Sequence, residues 1–266
     1  MIPLEIVDAI DSTSDELKRR VGADAQISPV GADAQIRPVG ADAQISPVDA
    51  DAQIDRLENA GEMALMARVQ TSGRGRLGRA WTSPVGNLYL SVLLRPGTLC
   101  WPGHWSILAA VTLAETVAGF LPDSALVRLK WPNDVLLGGG KLAGILLEAG
   151  AEPFPWLVIG FGVNLRVAPD ELGRLTAALG PDAPAPDIVA RALLARLGAW
   201  RLRYQREGFA PIRSAWLERA HAPGEAVAAT VGGRRIAGTF VGLAETGALL
   251  LETDSGRMTV SSGELA

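Results

Sequence analysis

The chain is nearly devoid of cysteine and histidine: Cys100 stands alone, and His104 and His221 are the only imidazoles. A single thiol forms no intramolecular disulfide, and so few soft ligands make a Cys/His zinc site implausible. Long hydrophobic runs are also missing. The most apolar stretches, such as "WLVIGFGVNL", fall well short of the roughly 20 residues a membrane span needs. The start, "MIPLEIVDAIDSTSDELKRR", carries acids early and no apolar core of signal-peptide length, so a cytoplasmic protein is expected. A net charge of −4 argues against general binding to nucleic acid or membranes and leaves room only for a local basic loop. Lysine is scarce as well: of 25 basic residues only Lys18, Lys130 and Lys141 are lysines.

That last scarcity points to something present. Two of the three lysines lie within twelve residues of each other in "LKWPNDVLLGGGKLAGILLE". A compact ammonium and a planar guanidinium do different chemistry, so lysine here reads as a requirement rather than as a generic cation. The composition is otherwise globular, with 48% hydrophobic and 20% charged residues. At 266 residues the chain accommodates one large domain and a small one.

Residues 22–54 are an internal repeat, "GADAQISPV", "GADAQIRPV", "GADAQISPV" and a truncated "DADAQI". Each unit offers little apolar surface and ends in Pro-Val, so the segment reads as a low-complexity surface insertion, flexible or weakly extended. Without it, an α+β pattern emerges. "STSDELKRR" predicts an N-capped helix. "EMALMARVQ" and "NLYLSVLL" predict strands, and "HWSILAAVTLAETVAGFL" a core helix. "ALVRLKWPNDVLL" and "KLAGILLEAG" read as two strands joined by a glycine turn, and "FPWLVIGFGVNLRV" as another strand. "PDIVARALLARLGAWRLRYQREG" is an amphipathic helix, and the last 45 or so residues are short β-segments of SH3-like barrel size. The expected domains are 1–220 and 221–266.

"SGRGRLGRAW", residues 72–81, matches the glycine spacing of a dinucleotide-binding turn. A strand follows rather than a helix, and no acid lies between Glu62 and Glu115, so that reading fails. A tight loop bringing backbone N–H groups and guanidinium forks onto a phosphate fits better. "GGGK" at 138–141 likewise lacks the Ser or Thr and the helix of a P-loop. Asn133 and Asp134 in "WPND" read equally well as an Asx turn or as functional groups.

In this order, "DSTS", "QTSGRGRLGRAW", "NLYLS", "KWPNDVLLGGGKLAGILLE" and "IGFGVNL" resemble the biotin protein ligases, over most of the chain outside residues 22–54. The resemblance implies an α+β fold: a class II synthetase-like catalytic domain with a mixed, largely antiparallel sheet, followed by a small SH3-like β-barrel. It implies attachment of biotin to a lysine of a carrier domain through biotinyl-AMP, with ATP as co-substrate and Mg²⁺. By resemblance, Ser12, Thr13, Ser14 and Gln70 contact biotin, and Gly73, Arg74, Gly75 and Arg76 close over biotin and the adenylate phosphate. Lys141, with Gly144 near it, neutralises the carboxylate and α-phosphate. Trp81, Asn133 and Asn164 attend the nucleotide, and Asp134 orients the phosphates and Mg²⁺. Lys130 is either near the site or on a solvated face. The implied partner is the biotin carboxyl carrier protein of acetyl-CoA carboxylase. No DNA-binding domain is expected ahead of the catalytic part, and a free sheet edge is expected to serve a homodimer or carrier docking. The family usually has Ser-Thr-Asn where this chain has Ser12-Thr13-Ser14, which puts one biotin contact in doubt. A lipoate or octanoate ligase lacks its expected histidine context here. A biotin-sensing repressor would need a DNA-binding domain, and a non-catalytic scaffold leaves the Gly/Arg loop and Lys141 unexplained.

Overall fold

The computed structural model describes residues 2–27, 61–96, 101–151, 155–170 and 173–265. Seven strands form the main sheet: β1 (Leu4–Ile10), β2 (Met63–Gln70), β3 (Leu88–Leu94), β4 (Val127–Lys130), β5 (Asp134–Leu137), β6 (Gly140–Gly150) and β7 (Trp156–Val163). Their order is β1-β2-β3-β7-β6-β5-β4. Only β1 and β2 run parallel, joined through α1 (Thr13–Ile27); every other pair is antiparallel. Parallel neighbours need a crossover connection of at least a dozen residues, and the segment that contains α1 supplies it.

Alternation along the strands divides the core. Leu65, Leu93 and Val158 pack with Leu17 and Val21 of α1 on one face. Their neighbours Ala64, Met66, Val92, Leu94, Leu157 and Ile159 face the larger core. That core is completed by α2 (Pro102–Ala118), α3 (Pro186–Glu207) and α4 (Ala210–Leu217). Because both faces are covered at its centre, β3 is buried at every position, as its unbroken run LYLSVLL requires. α1 is short of covering its whole face. Gly144, Gly160 and Gly162, on β6 and β7, lie on the part it leaves open.

Three local differences from the sequence expectation have physical reasons. The run expected as one strand over "ALVRLKWPNDVLL" is two, β4 and β5, because Trp131, Pro132 and Asn133 form a turn with a cis Trp131–Pro132 bond. Pro132 has no N–H to donate to a ladder. Second, α1 continues through Gly22–Ile27, so the first six residues of the repeat are helical rather than flexible or extended. The remainder of the repeat, residues 28–54, lies outside the described residues, as does Cys100. Third, β1 was not foreseen, since its buried and exposed positions do not alternate strictly. The expected hairpin does form between β5 and β6. Gly138 and Gly139 take φ of 56° and 86°, a turn that side chains disfavour.

Strands β8 (Ala226–Val231), β9 (Arg234–Leu243), β10 (Leu249–Thr253), β11 (Gly256–Val260) and β12 (Glu264–Leu265) form the antiparallel C-terminal sheet, in the order β11-β10-β9-β8-β12. Its Phe240, Leu243, Leu249, Leu251 and Leu265 join the main core, so the sheet is packed onto the catalytic unit rather than tethered to it. No helix of the described residues is long and apolar enough to cross a membrane.

His104 helps fix that packing. Its Nε2 lies 2.6 Å from the Glu245 carbonyl and must donate, leaving Nδ1 to accept from the Tyr204 hydroxyl at 2.8 Å. The ring stacks on Phe209 with centroids 3.9 Å apart. Burial lowers its pKa below the ordinary 6.5, against a smaller opposing effect of the Glu245 carbonyl. The neutral ring therefore stabilises the fold above that pH, and the contribution is lost as pH falls toward the lowered value. The stability advantage of the wild-type chain over His104→Gln, measured by urea unfolding, is expected to shrink between pH 7 and pH 5.

Candidate active site

The open part of the α1 face is the floor of a cavity of about 350 Å³. Its floor is bare backbone, and that is why glycine stands at three strand positions where it costs stability. A Cβ on Gly162 would lie 2.5 Å from the Trp81 ring, one on Gly144 3.0 Å from it, and one on Gly160 2.7 Å from Ser14 Oγ. Trp81 thus lies on the glycine pair Gly144 and Gly162, which are cross-strand partners. Its indole N–H is buried without a hydrogen-bond partner.

Ser12, Thr13, Ser14, Gln70 and Ser91 line the cavity, a concentration of uncharged polar groups. Ser12 caps α1, its Oγ accepting the Asp15 N–H at 3.3 Å, so the first turn of the helix carries the "STS" residues into the site. Gln70 Oε1 accepts from the backbone and hydroxyl of Thr13 at 2.9 and 3.0 Å. Ser91 Oγ is shared by Thr13 at 2.7 Å and Ser14 at 2.9 Å. These hydroxyls are buried and rotatable, so they can donate to one ligand group and accept from another.

Cationic groups also line the cavity. Lys141 reaches it because of a bulge. The pairing Val135↔Ala143 is followed by Leu136↔Lys141, so Leu142 is an extra residue on β6. Strict alternation would put Lys141 on the face opposite Gly144; the extra residue turns it to the same face. There Nζ lies 3.2 Å from Asp134 Oδ1 and 5.4 Å from the Trp81 ring centroid.

The Gly/Arg loop is a small closed turn. Gly75 N–H donates to Arg79 O at 2.7 Å and Trp81 N–H to Gly73 O at 2.9 Å. A Cβ on Gly73 would meet Trp81 O at 2.5 Å, so this glycine is needed for the closure. Arg74 contacts Asp15 at 2.7 Å and Glu148 at 2.9 Å. Arg76 donates to Asn133 Oδ1 at 3.1 Å and to the Gly263 carbonyl at 3.2 Å. Burial lowers its pKa, with the Arg79 charge adding to that, against the smaller pull of Glu264 and Asp134.

Of the residues expected from sequence, Ser12, Thr13, Ser14, Gln70, Arg74, Gly75, Arg76, Trp81, Asn133, Asp134, Lys141 and Gly144 all line this one cavity. Two do not. Gly73 sits behind the loop as its closure. Asn164 is buried beside the Lys141 backbone, donating to the Lys141 carbonyl at 3.4 Å. Lys130 is half-buried, its pKa lowered chiefly by burial, with Asp134, Arg174, Glu264 and Lys141 as its charged neighbours. It is near the site and not on a solvated face. Sequence reasoning missed Arg79, Arg174, Ser91, Gly160 and Gly162 as lining residues. The Gly-x-Gly of "GFGVN" was the available signal for the last two; Arg174 lies in irregular chain with no pattern around it.

The description "Biotin/lipoate A/B protein ligase family" matches residues 48–164, and "Biotin protein ligase C terminal domain" matches residues 224–265. A biotin–[acetyl-CoA-carboxylase] ligase of Paracoccus denitrificans is 38% identical over 217 residues, covering 77% of this chain and 90% of the relative. One from Mycobacterium tuberculosis is 34% identical over 212 residues, covering 76% and 78%. The structure of the Aquifex aeolicus biotin protein ligase in complex with biotin and ATP superimposes with a TM-score of 0.74 at 26% identity, over 100% of this chain and 98% of that one. With its floor of strand glycines, its polar and cationic lining and both of its sheets accounted for, this chain belongs to the biotin/lipoate A/B protein ligase family.

Proposed function

We infer that this chain is an ATP-dependent ligase that attaches biotin to a lysine of the carrier domain of a carboxylase, through biotinyl-5′-AMP. The observation that carries the reading is the lining of one cavity by two different sets of groups. The hydroxyls and amide of Ser12, Thr13, Ser14, Gln70 and Ser91 suit a ligand with both donors and acceptors, and Lys141 and the arginines suit anions. The ureido ring of biotin offers such donors and acceptors. The dithiolane of lipoate offers none and would leave buried polar groups unpaired, which a site of this kind rejects strongly.

The reaction brings two anions together. A biotin carboxylate oxygen attacks the α-phosphorus of ATP, and the bond to the β-phosphate oxygen breaks, releasing pyrophosphate. The ε-amine of the acceptor lysine then attacks the anhydride carbonyl, AMP leaves, and the amine loses a proton. No enzyme nucleophile is required, so catalysis is positioning and charge stabilisation. Lys141 is assigned to neutralise the carboxylate and the α-phosphate, held on the cavity face by the β6 bulge and by Asp134. Arg74 and Arg76 are assigned to close over the adenylate, and Trp81 to pack against the base. Among the described residues no group of three or more His, Cys, Asp or Glu side chains could hold a metal. Asp134 is the one carboxylate lining the cavity, which fits Mg²⁺ arriving on ATP, bound by one protein ligand and the substrate phosphates. In the same reading the enzyme works in the cytoplasm without DNA, and β1 at the sheet edge can receive a second copy of the chain or the carrier.

Intact mass of a biotin carrier domain incubated with the chain and Mg-ATP tests this directly. A biotin adduct that requires ATP is expected; an adduct with lipoate in place of biotin, or none with either, overturns the reading. Lys141→Gln is expected to slow biotin-dependent pyrophosphate release by about 10²–10³-fold, equivalent to about 2.7–4 kcal/mol, while biotin still binds in calorimetry. Gly160→Ala drives a methyl into Ser14 Oγ. It is expected to weaken biotin binding about tenfold or more while leaving ATP binding unchanged, readable as separate KM values.

A further inference from the structure

The last strand of the chain places one carboxylate against the rim of the cavity. Both guanidinium ends of Arg79 donate to the Glu264 carboxylate, and Arg174 donates to its Oε2 at 3.2 Å. The neighbouring Gly263 carbonyl accepts from Arg76. All three arginines line the cavity. Two come from the Gly/Arg loop and one from the chain after β7, so Glu264 and Gly263 of the C-terminal sheet tie two separate catalytic segments together. Burial works to raise the pKa of Glu264, but the Arg79 hydrogen bond and the charges of Arg79, Arg174 and Arg76 outweigh it and hold the group ionised.

We propose that Glu264 is a positioning residue for nucleotide binding: it holds Arg79 and Arg174 together, with Arg76 beside them, in the arrangement that grips the phosphates of ATP. Three guanidiniums at one rim repel one another, and a single shared carboxylate offsets that repulsion while leaving surplus positive charge for a phosphate. Without it, the arginines spread and the phosphates must gather them at binding, which weakens affinity without touching the bond-making step. An ordinary exposed ion pair would contribute little, and its loss would leave ligand binding alone. Glu264 differs from such a pair in that its side chain is 26% exposed and is shared by two arginines lining one cavity.

This inference rests on the ligase reading, and its test separates the two. The assay is biotin-dependent exchange of pyrophosphate into ATP by the full chain, with Glu264→Gln, Glu264→Asp and the control Glu252→Gln on the same sheet. The glutamine variant keeps the shape and removes the charge. It is expected to raise the KM for ATP about tenfold, the scale of one hydrogen bond to a charged group discounted for partial exposure. The KM for biotin, kcat and the thermal midpoint are expected to stay within twofold or 2 °C or so of wild type. Glu264→Asp should recover part of the ATP affinity, and Glu252→Gln should match wild type. Calorimetry with a non-hydrolysable ATP analogue should show the same loss for Glu264→Gln. An active wild type with an unchanged ATP KM in Glu264→Gln overturns this inference alone. So does a parallel rise of both KM values with a lowered midpoint, which marks a structural role. A wild type that shows no exchange overturns the ligase reading and this inference with it.

Discussion

The site is built around the problem of keeping like charges close together before any anion arrives. Arg74, Arg76, Arg79, Arg174 and Lys141 all line one cavity, and Lys130 lies close by. Such a set would repel itself apart or neutralise if left unopposed in a partly buried place. The acceptors that meet these cations come from several elements. Arg74 has Asp15 of α1 and Glu148 of β6, Lys141 has Asp134 of β5, and Arg79 and Arg174 have Glu264 of β12. The fold therefore carries its counter-charges on the helix cap, the catalytic strands and the C-terminal sheet. Placing them so explains why the last sheet shares the main core instead of hanging from a linker.

The second constraint is close approach. Biotin and a nucleotide are to lie against a sheet, and a sheet normally presents side chains. Gly144, Gly160 and Gly162 remove them over one patch, and Trp81 and the Ser14 hydroxyl occupy the space. The β6 bulge then supplies the one change of face that alternation forbids, turning Lys141 toward the patch. Both devices weaken a strand locally, and the fully buried β3 beside the patch, with the buried residues of β7 between its glycines, carries the stability.

Much of this was legible in the chain. Long periodic segments such as α2, α3 and β3 were readable because their burial is uniform along a face or throughout. The clustering of "STS", "SGRGRLGRAW" and the two-lysine block into one cavity followed from family resemblance, which carries tertiary information that spacing does not. The misses share a cause. Glu264 meets Arg79 across 185 residues, and Arg174 meets the same carboxylate across 90, so no local pattern marks any of them. The split of β4 from β5 turned on one proline inside an otherwise apolar run. Asn164 stands beside the site in sequence and in space, with its amide on the Lys141 carbonyl.

The helix α1 meets the cavity through its first turn, and its last six residues belong to the repeat. The nine helical residues from Thr13 to Val21 rise about 14 Å, so the repeat begins about two and a half turns along the helix from the Ser12 cap. Here a change in copy number would alter the length of chain between α1 and β2 while Ser12, Thr13 and Ser14 stay fixed by the helix cap and by Gln70 and Ser91. The polar end of the cavity is thus anchored from β2 and β3, on groups that do not depend on the length of the connection after α1.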